Sequence, residues 1–387
     1  MGLDIAAFFR EFVHEVRSSP LYMVMSPLLA ENPTVVTLYD DVPPTQRRPN
    51  LLLAAIHYSI LCDPSDELAE WYPTVGGSRS PSDGGLGPAI DALLHSRFAE
   101  LQALVTTGAT QTNEVGRSAV VLPALSSIHD HEEKSLGLVE VGTSGGLNLR
   151  LDSFAITYRR ASEPDVRIGP EDSSVHISCD TSRSLEPIPV EAMRALRIGS
   201  RIGSDLNPLD VNDDLQVRWL QALIWPDEVG RFNRLSSALA LARTVPVTVV
   251  QADAVEIAAE HLLAVPSDQH PVLLTTWMLT YLPEPRRRSL VENLEAVARR
   301  RPFSWVCMEH PHYLSGIPWS DDVVKGWNLS ETARPADAHV LGTPVVVHRF
   351  TVDAKGDVDR NSQWVATTHP HGTWLNWHPT SSARLLG

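Results

Sequence analysis

The sequence predicts an α/β fold built on a parallel sheet, and three observations carry that expectation. From about residue 136 onward, short apolar runs alternate with amphipathic helical segments, the pattern of strands joined by crossover helices. A loop of small residues, Gly142-Thr143-Ser144-Gly145-Gly146, directly follows the first apolar run. Near the end of the chain, two β-type runs flank the turn Asp353-Ala354-Lys355-Gly356-Asp357, which reads as an antiparallel hairpin closing the sheet.

Residues 1–130 read as mostly helical. Phe8, Phe9, Phe12, Val13 and Val16 recur at helix spacing, and further apolar segments follow at 51–62 and 87–106. Between these, YPTVGGSRSPSDGGLGP (72–88) has the composition of a mobile loop. The expected strands are 136–142, 200–205, 245–250, 271–276 and 303–308, with hairpin strands at 343–352 and 362–369. Helices are expected at 228–243, where Phe232, Leu235, Leu239 and Ala242 share a face, and at 285–300, where Leu290, Val291, Leu294 and Val297 do. Residues 151–195 break the alternation. There FAITYR and VHISCD alternate like strands and give a β-rich insertion, after which RIGSRIGS (197–204) returns to the sheet. The chain thus divides into a helical region, 1–130, and a sheet domain, 131–387, with its insertion at about 151–195.

Composition narrows the function classes. The chain has 387 residues, 43% of them hydrophobic and 20% charged, as in an ordinary globular protein. Its formal net charge of −15 argues against nucleic acid or an anionic membrane as main partner, since both reward a basic surface. The first twenty residues lack a signal-peptide core, and the longest apolar stretch, LLLAAIHYSIL (51–61), is too short to span a bilayer. A cytoplasmic location is the expectation. Cys62, Cys179 and Cys307 are odd in number and far apart, so neither a disulfide framework nor a C-x-x-C metal site is expected. His129, Asp130, His131, Glu132 and Glu133 look like metal ligands by type but read as a solvated polar run, and no metal is expected.

In an open parallel sheet, ligands bind beyond the carboxyl ends of the strands. Those ends carry Glu140 with the glycine loop, then Asp205, Asn207 and Asp210, then Asp253-Ala254, then WMLTYLPEP, then EHPHYL. Asp205 is placed to accept both hydroxyls of a ribose, and Asp253-Ala254 to meet an adenine. Gly142 and Gly146 remove Cβ atoms where a ligand must touch backbone. Glu140 argues against a dinucleotide, because an acid this close would repel a pyrophosphate, and the loop is not G-x-G-x-x-G. The same residues have plainer uses: glycines make turns, and Asp205 and Asp253 can cap helices.

The ordered set VEVGTSGG, GSDLNP, VVQADA and LTTWMLTYLP resembles the class I S-adenosylmethionine-dependent methyltransferases over about residues 136–370. The whole chain is more similar still to a bacterial, largely actinobacterial, family of unknown function with hallmarks QTNEVGR (111–117), VGTSGGLNL (141–149), DLNPLDV (205–211) and HPHGTWLNW (369–377). The first resemblance implies a Rossmann-like sheet, S-adenosylmethionine as cofactor and a small organic O- or N-acceptor, with residues 1–130 as lid or acceptor wall. On that reading the cofactor falls to Glu140, Gly142, Ser144, Gly146, Asp205, Asn207, Asp253, Ala254 and Trp277. Acceptor contacts fall to Asn113, Arg117, Tyr281 and His312, and catalysis to His310, His371 and Glu114, a histidine serving as general base. The stretch from Glu140 to Asp205 is longer than one crossover helix, a departure that bears on the ribose role of Asp205. Seven tryptophans (277, 305, 319, 327, 364, 374 and 377) lie late in the chain, as pocket lining or core. Asn113, Glu114 and Arg117 equally suit a structural polar network.

Two other readings use the same letters. The fold can be kept for other chemistry or for binding, since fold does not fix function. Gly142-Thr143-Ser144-Gly145-Gly146 also fits G-x-S-x-G, with Asp253 and His369 or His371 as partners of a nucleophilic Ser144. Against the hydrolase, no HGGG-type segment precedes the loop and no long clean helix follows it.

Overall fold

Helices open the chain. The computed structural model describes residues 5–42, 47–111, 113–129, 134–161, 163–310, 315–317, 319 and 342–378. In order the elements are α1 (Ile5–Phe12), α2 (Pro20–Glu31), α3 (Pro33–Leu38), α4 (Pro49–Cys62), α5 (Leu86–Ser96), α6 (Phe98–Thr107), α7 (Ser118–His129) and β1 (Ser135–Val141). Then come β2 (Ala155–Arg159), β3 (Val166–Ile168), β4 (His176–Asp180), α8 (Val190–Ala195) and β5 (Ile198–Asp205). Next are α9 (Asp214–Ala222), α10 (Val229–Ala242), β6 (Thr248–Gln251), α11 (Ala254–Ala264) and β7 (Gln269–Thr276). The chain closes with α12 (Glu284–Ala298), β8 (Phe303–Met308), β9 (Thr343–Val352), β10 (Val358–Thr368) and β11 (Leu375–Trp377).

By packing the chain forms two units, residues 1–112 with 210–239, and residues 113–209 with 240–387. The change of composition near residue 130 is therefore not where packing divides the chain, because α7 and the turn before it belong with the sheet. In the first unit, Pro20 starts α2 behind Ser19, whose Oγ accepts from Tyr22 N. The segment LLLAAIHYSIL forms α4 and is buried on nearly every side, which is why it lacks a polar face. Its His57 is satisfied inside by Ala222 O at 3.1 Å and Thr74 Oγ1 at 2.8 Å. The 72–88 loop, expected to be mobile, is fastened instead. Trp71 Nε1 donates to Ser80 O, and the Arg79 guanidinium lies 4.0 Å from the centre of the Trp71 ring while pairing with Glu70 and Asp83.

The second unit is α/β. Its eight-stranded sheet has the order β11-β10-β9-β8-β7-β1-β5-β6. Strands β6, β5, β1, β7 and β8 run parallel, and β9, β10 and β11 alternate antiparallel beyond them. The parallel centre is buried on both faces, as its unbroken apolar runs require. Val139, Val141, Leu273, Phe303 and Trp305 join one core with Val255, Leu262, Leu290 and Leu294 of α11 and α12. The hairpin is longer than its alternation suggested, with β10 starting at Val358, and β11 had not been expected. The insertion is β-rich as expected, a separate three-stranded sheet of order β3-β2-β4. Backbone bonds tie it to the end of the chain: Asp180 N donates to Thr373 O and Leu185 N to Trp377 O.

Among the described residues, no helix is long and apolar enough to cross a membrane. No group of His, Cys, Asp and Glu there is arranged to hold a metal ion, and residues 130–133 lie outside them. The three cysteines are free.

Candidate functional site

From β1 the chain proceeds to β5 and β6 on one side, then returns to place β7 and β8 on the other. The direction of winding thus reverses between β1 and β7, and their carboxyl ends border the crevice where open α/β sheets take ligands. The glycine loop sits there. Gly142, Ser144 and Gly146 have φ of +72°, +51° and +68°, so two of the three left-handed positions carry the residue best suited to them. Gly142 also makes room for β7's continuation, since a Cβ there would lie 2.2 Å from Met278 Cγ.

The loop is held inward. Gly142 N and Thr143 N both donate to Ser204 O, at 2.8 and 3.1 Å. Ser144 N donates to Asp205 Oδ2 at 2.8 Å, and Asn207 N to Asp205 Oδ1 at 2.9 Å. The carbonyls of Gly145 and Gly146 accept from Arg150 Nη1. Three loop N–H groups are therefore engaged within the unit rather than arrayed for a phosphate.

Two buried acids lie at this end of the sheet. Glu140 accepts from Thr143 Oγ1 through one oxygen and from Asn148 Nδ2, 3.4 Å away, through the other. Thr143 reaches it because Gly203, its register partner on β5, has no Cβ in the way. Glu309 follows β8 and is fully buried, with Oε1 accepting from Met278 N at 2.8 Å and Leu279 N at 3.1 Å. Its Oε2 is also buried and has no hydrogen-bond partner among the described residues. Burial pushes both carboxyls up to about 7, and the charge of Arg117 draws both back toward ionisation.

Arg117 is a buried cation of the site, as are Arg150 at the glycine loop and Arg287 near Glu309. Arg117 Nε donates to Pro370 O and Nη1 to Thr276 O, each at 3.0 Å. Around it QTNEVGR meets the glycine loop and HPHGTWLNW. Asn113 Nδ2 donates to Thr143 O at 3.2 Å, and Ser118 Oγ, one residue past the motif, to Asn148 Oδ1 at 3.1 Å. Gly372, at φ +68°, approaches so closely that a Cβ on it would lie 2.1 Å from Gly116 O. Glu114 turns its Oε1 to Gly116 N within the same segment.

The structure thus gathers Asn113, Glu114, Arg117, Glu140, Gly142, Ser144 and Asp205 around one end of the sheet, with Trp277 and His310 at the ends of β7 and β8. Trp277 has φ +59°, donates its backbone N–H to Met308 O, and places its ring 6.2 Å from that of buried His310. His371 is half-buried, its backbone N donating to His369 Nδ1. Other candidates are differently employed. Asp253 caps α11 by accepting from Val255 N and pairs with Arg286, and Ala254 is the first residue of that helix. Gly146 faces the methyl groups of Val247 and Val249. Asn207 is exposed, Tyr281 is 71% exposed, and His312 lies outside the described residues. Sequence reasoning passed over Thr143, Asn148, Met278 and Glu309. For Glu309 a signal was present, an acid directly after a wholly apolar strand, but the histidines beside it drew the assignment.

The comparison with curated proteins and that with solved structures return no match. A family match covers residues 6–377, and so includes all four hallmark motifs and both buried acids. By that match the chain belongs to the family described as "Uncharacterized protein conserved in bacteria (DUF2332)".

Proposed function

We propose that the second unit is a Rossmann-like domain that binds S-adenosylmethionine and serves methyl transfer to a small organic molecule bearing an O–H or N–H group. The observation that carries this reading is the parallel order β6-β5-β1-β7-β8, with a glycine loop on the central strand and an acid on its neighbour β5. The residues fit the cofactor in chemical kind. Glu140, Asp205 and Glu309, at the ends of β1, β5 and β8, suit a ligand carrying positive charge and hydroxyls, and the inward-turned loop N–H groups do not favour an anionic one.

On this reading Gly142 and Ser144 would lie against the amino-acid end of the cofactor, and Asp205 would meet its ribose with the lone pairs left by Ser144 N and Asn207 N. Trp277 would supply apolar surface that excludes water. When bound, the cofactor supplies an already activated methyl group, so the chain's own task is to orient the acceptor and receive its proton.

A second reading has an observation of its own. Asp205 already binds the loop backbone, and Asp253 is committed to a helix cap and to Arg286. That suits a sheet of this type used for a different ligand. Calorimetric titration with S-adenosylmethionine and S-adenosylhomocysteine separates the two. Micromolar binding of both supports methyl transfer, and no heat with either removes it in favour of the second reading.

A further inference from the structure

We infer that Glu309 is the proton acceptor of this site, with Oε2 as the atom that takes the proton from an O–H or N–H substrate. The inference rests on the methyl-transfer reading for its chemistry, but its structural basis is independent of it. A buried polar atom without a partner is uncommon and calls for an explanation. The two buried acids differ in this respect. Both oxygens of Glu140 are engaged, by Thr143 and Asn148, so that acid is closed into the loop. Glu309 is held by one oxygen only. Met278 N and Leu279 N fix Oε1, orienting the carboxyl and leaving Oε2 without a hydrogen-bond partner among the described residues. The residue that anchors it, Met278, is the one packed on Gly142, which places Glu309 beside the glycine loop and not in the remote core.

The surroundings match the task. Arg117 and Arg287 favour the ionised form, burial opposes it, and the Cys307 thiol and the His310 ring are the neighbouring ionisable groups on its own strand end. The balance brings the carboxyl up to about 7, where an acid can both gain and release a proton near neutrality. In the transfer step a lone pair of the acceptor oxygen or nitrogen forms the new bond to the methyl carbon. The carbon–sulfur bond breaks with its electron pair retained by sulfur, and the acceptor's proton passes to Glu309 Oε2. The neutral glutamic acid then returns that proton to solvent. A purely structural role for Glu309 would need only its two backbone hydrogen bonds, which glutamine can also accept.

The test compares wild type with Glu309→Gln in two ways. In the ligand-free protein, the infrared band of protonated buried carboxyl should fade as pH rises through about 7, and Glu309→Gln should remove part of it, leaving the Glu140 part. An unchanged band and titration in Glu309→Gln would overturn the assignment. In the second arm, S-adenosylhomocysteine formation from S-adenosylmethionine is followed with a panel of phenols, carboxylic acids and amines. The wild-type rate should climb through the same pH range, and Glu309→Gln should be slower by about 10²–10³-fold with no such climb. A variant with wild-type rate and profile would equally overturn it. Should the wild type bind no S-adenosylmethionine, the methyl-transfer reading fails while the infrared arm still decides whether Glu309 is the ionising group.

Discussion

Arg117 Nε donates to the carbonyl of Pro370 at 3.0 Å, joining residues 253 positions apart. The bond shows that QTNEVGR and HPHGTWLNW are one structure. The same guanidinium reaches Thr276 O at the end of β7, and its charge acts on both Glu140 and Glu309. A single buried cation therefore links the start of α7, the switch point of the sheet and the turn before β11.

Replacing that cation should be costly. Arg117→Met leaves the carbonyls of Thr276 and Pro370 without this donor and the two acids without their shared counter-charge, an expected loss of about 3–5 kcal/mol. Denaturant unfolding measures it, and a loss below about 1 kcal/mol would mean that the network is loosely held.

The contact between Gly116 and Gly372 gives a sharper geometric test. Gly372→Ala adds a methyl group where φ is +68° and the Gly116 carbonyl oxygen would be 2.1 Å away. The expected destabilisation is at least about 2 kcal/mol. Gly356→Ala, at φ +88° but facing open space, serves as control and should cost about 1 kcal/mol.

Stability should carry the mark of the raised acids. Glu140 and Glu309 ionise from about 4.5 in the unfolded chain but only near 7 when folded. Between those values the folded state retains protons that the unfolded state has lost, so stability falls as pH rises; below the window there is no effect, and above it the loss is complete. Glu309→Gln should therefore gain on wild type between pH 5 and 8, by on the order of 2–3 kcal/mol. A difference that does not change with pH would contradict the burial of an ionisable Glu309. His57 and His270, both lowered to about 4 by burial, act in the opposite direction below 6.5 and are common to both proteins.

Much of the α/β framework was legible because its signals are local. Apolar runs of strand length lie between amphipathic helices, glycines mark the loop after β1, and the Asp353–Asp357 turn marks the hairpin. The insertion's strands were legible for the same reason, from the alternation in FAITYR and VHISCD. The partners of buried polar groups were not, because Arg117 with Pro370 and Gly116 with Gly372 are meetings across more than 250 residues. Asp253 shows a further limit. A carboxylate at a strand end can serve a ligand or a helix cap, and only the positions of Val255 N and Arg286 show that it caps.

The two candidate nucleoside acids should accordingly part company. Asp253→Ala should cost about 1 kcal/mol of stability through the lost cap and leave ligand affinity nearly unchanged. Asp205→Ala releases Ser144 N and should weaken binding about tenfold or more while the sheet stays folded. Equal losses of affinity in both variants would restore Asp253 to the site.

The most direct measurement is hydrogen exchange of the wild-type protein with and without S-adenosylhomocysteine. With a cofactor at the reversal of the sheet, exchange should slow in peptides covering Gly142–Asn148, Asp205–Leu209 and Trp277–Leu279, with little change in β2, β3 and β4. No protection anywhere, or protection confined to segments away from the carboxyl ends of β1, β5 and β7, would contradict a cofactor site at the reversal of the sheet.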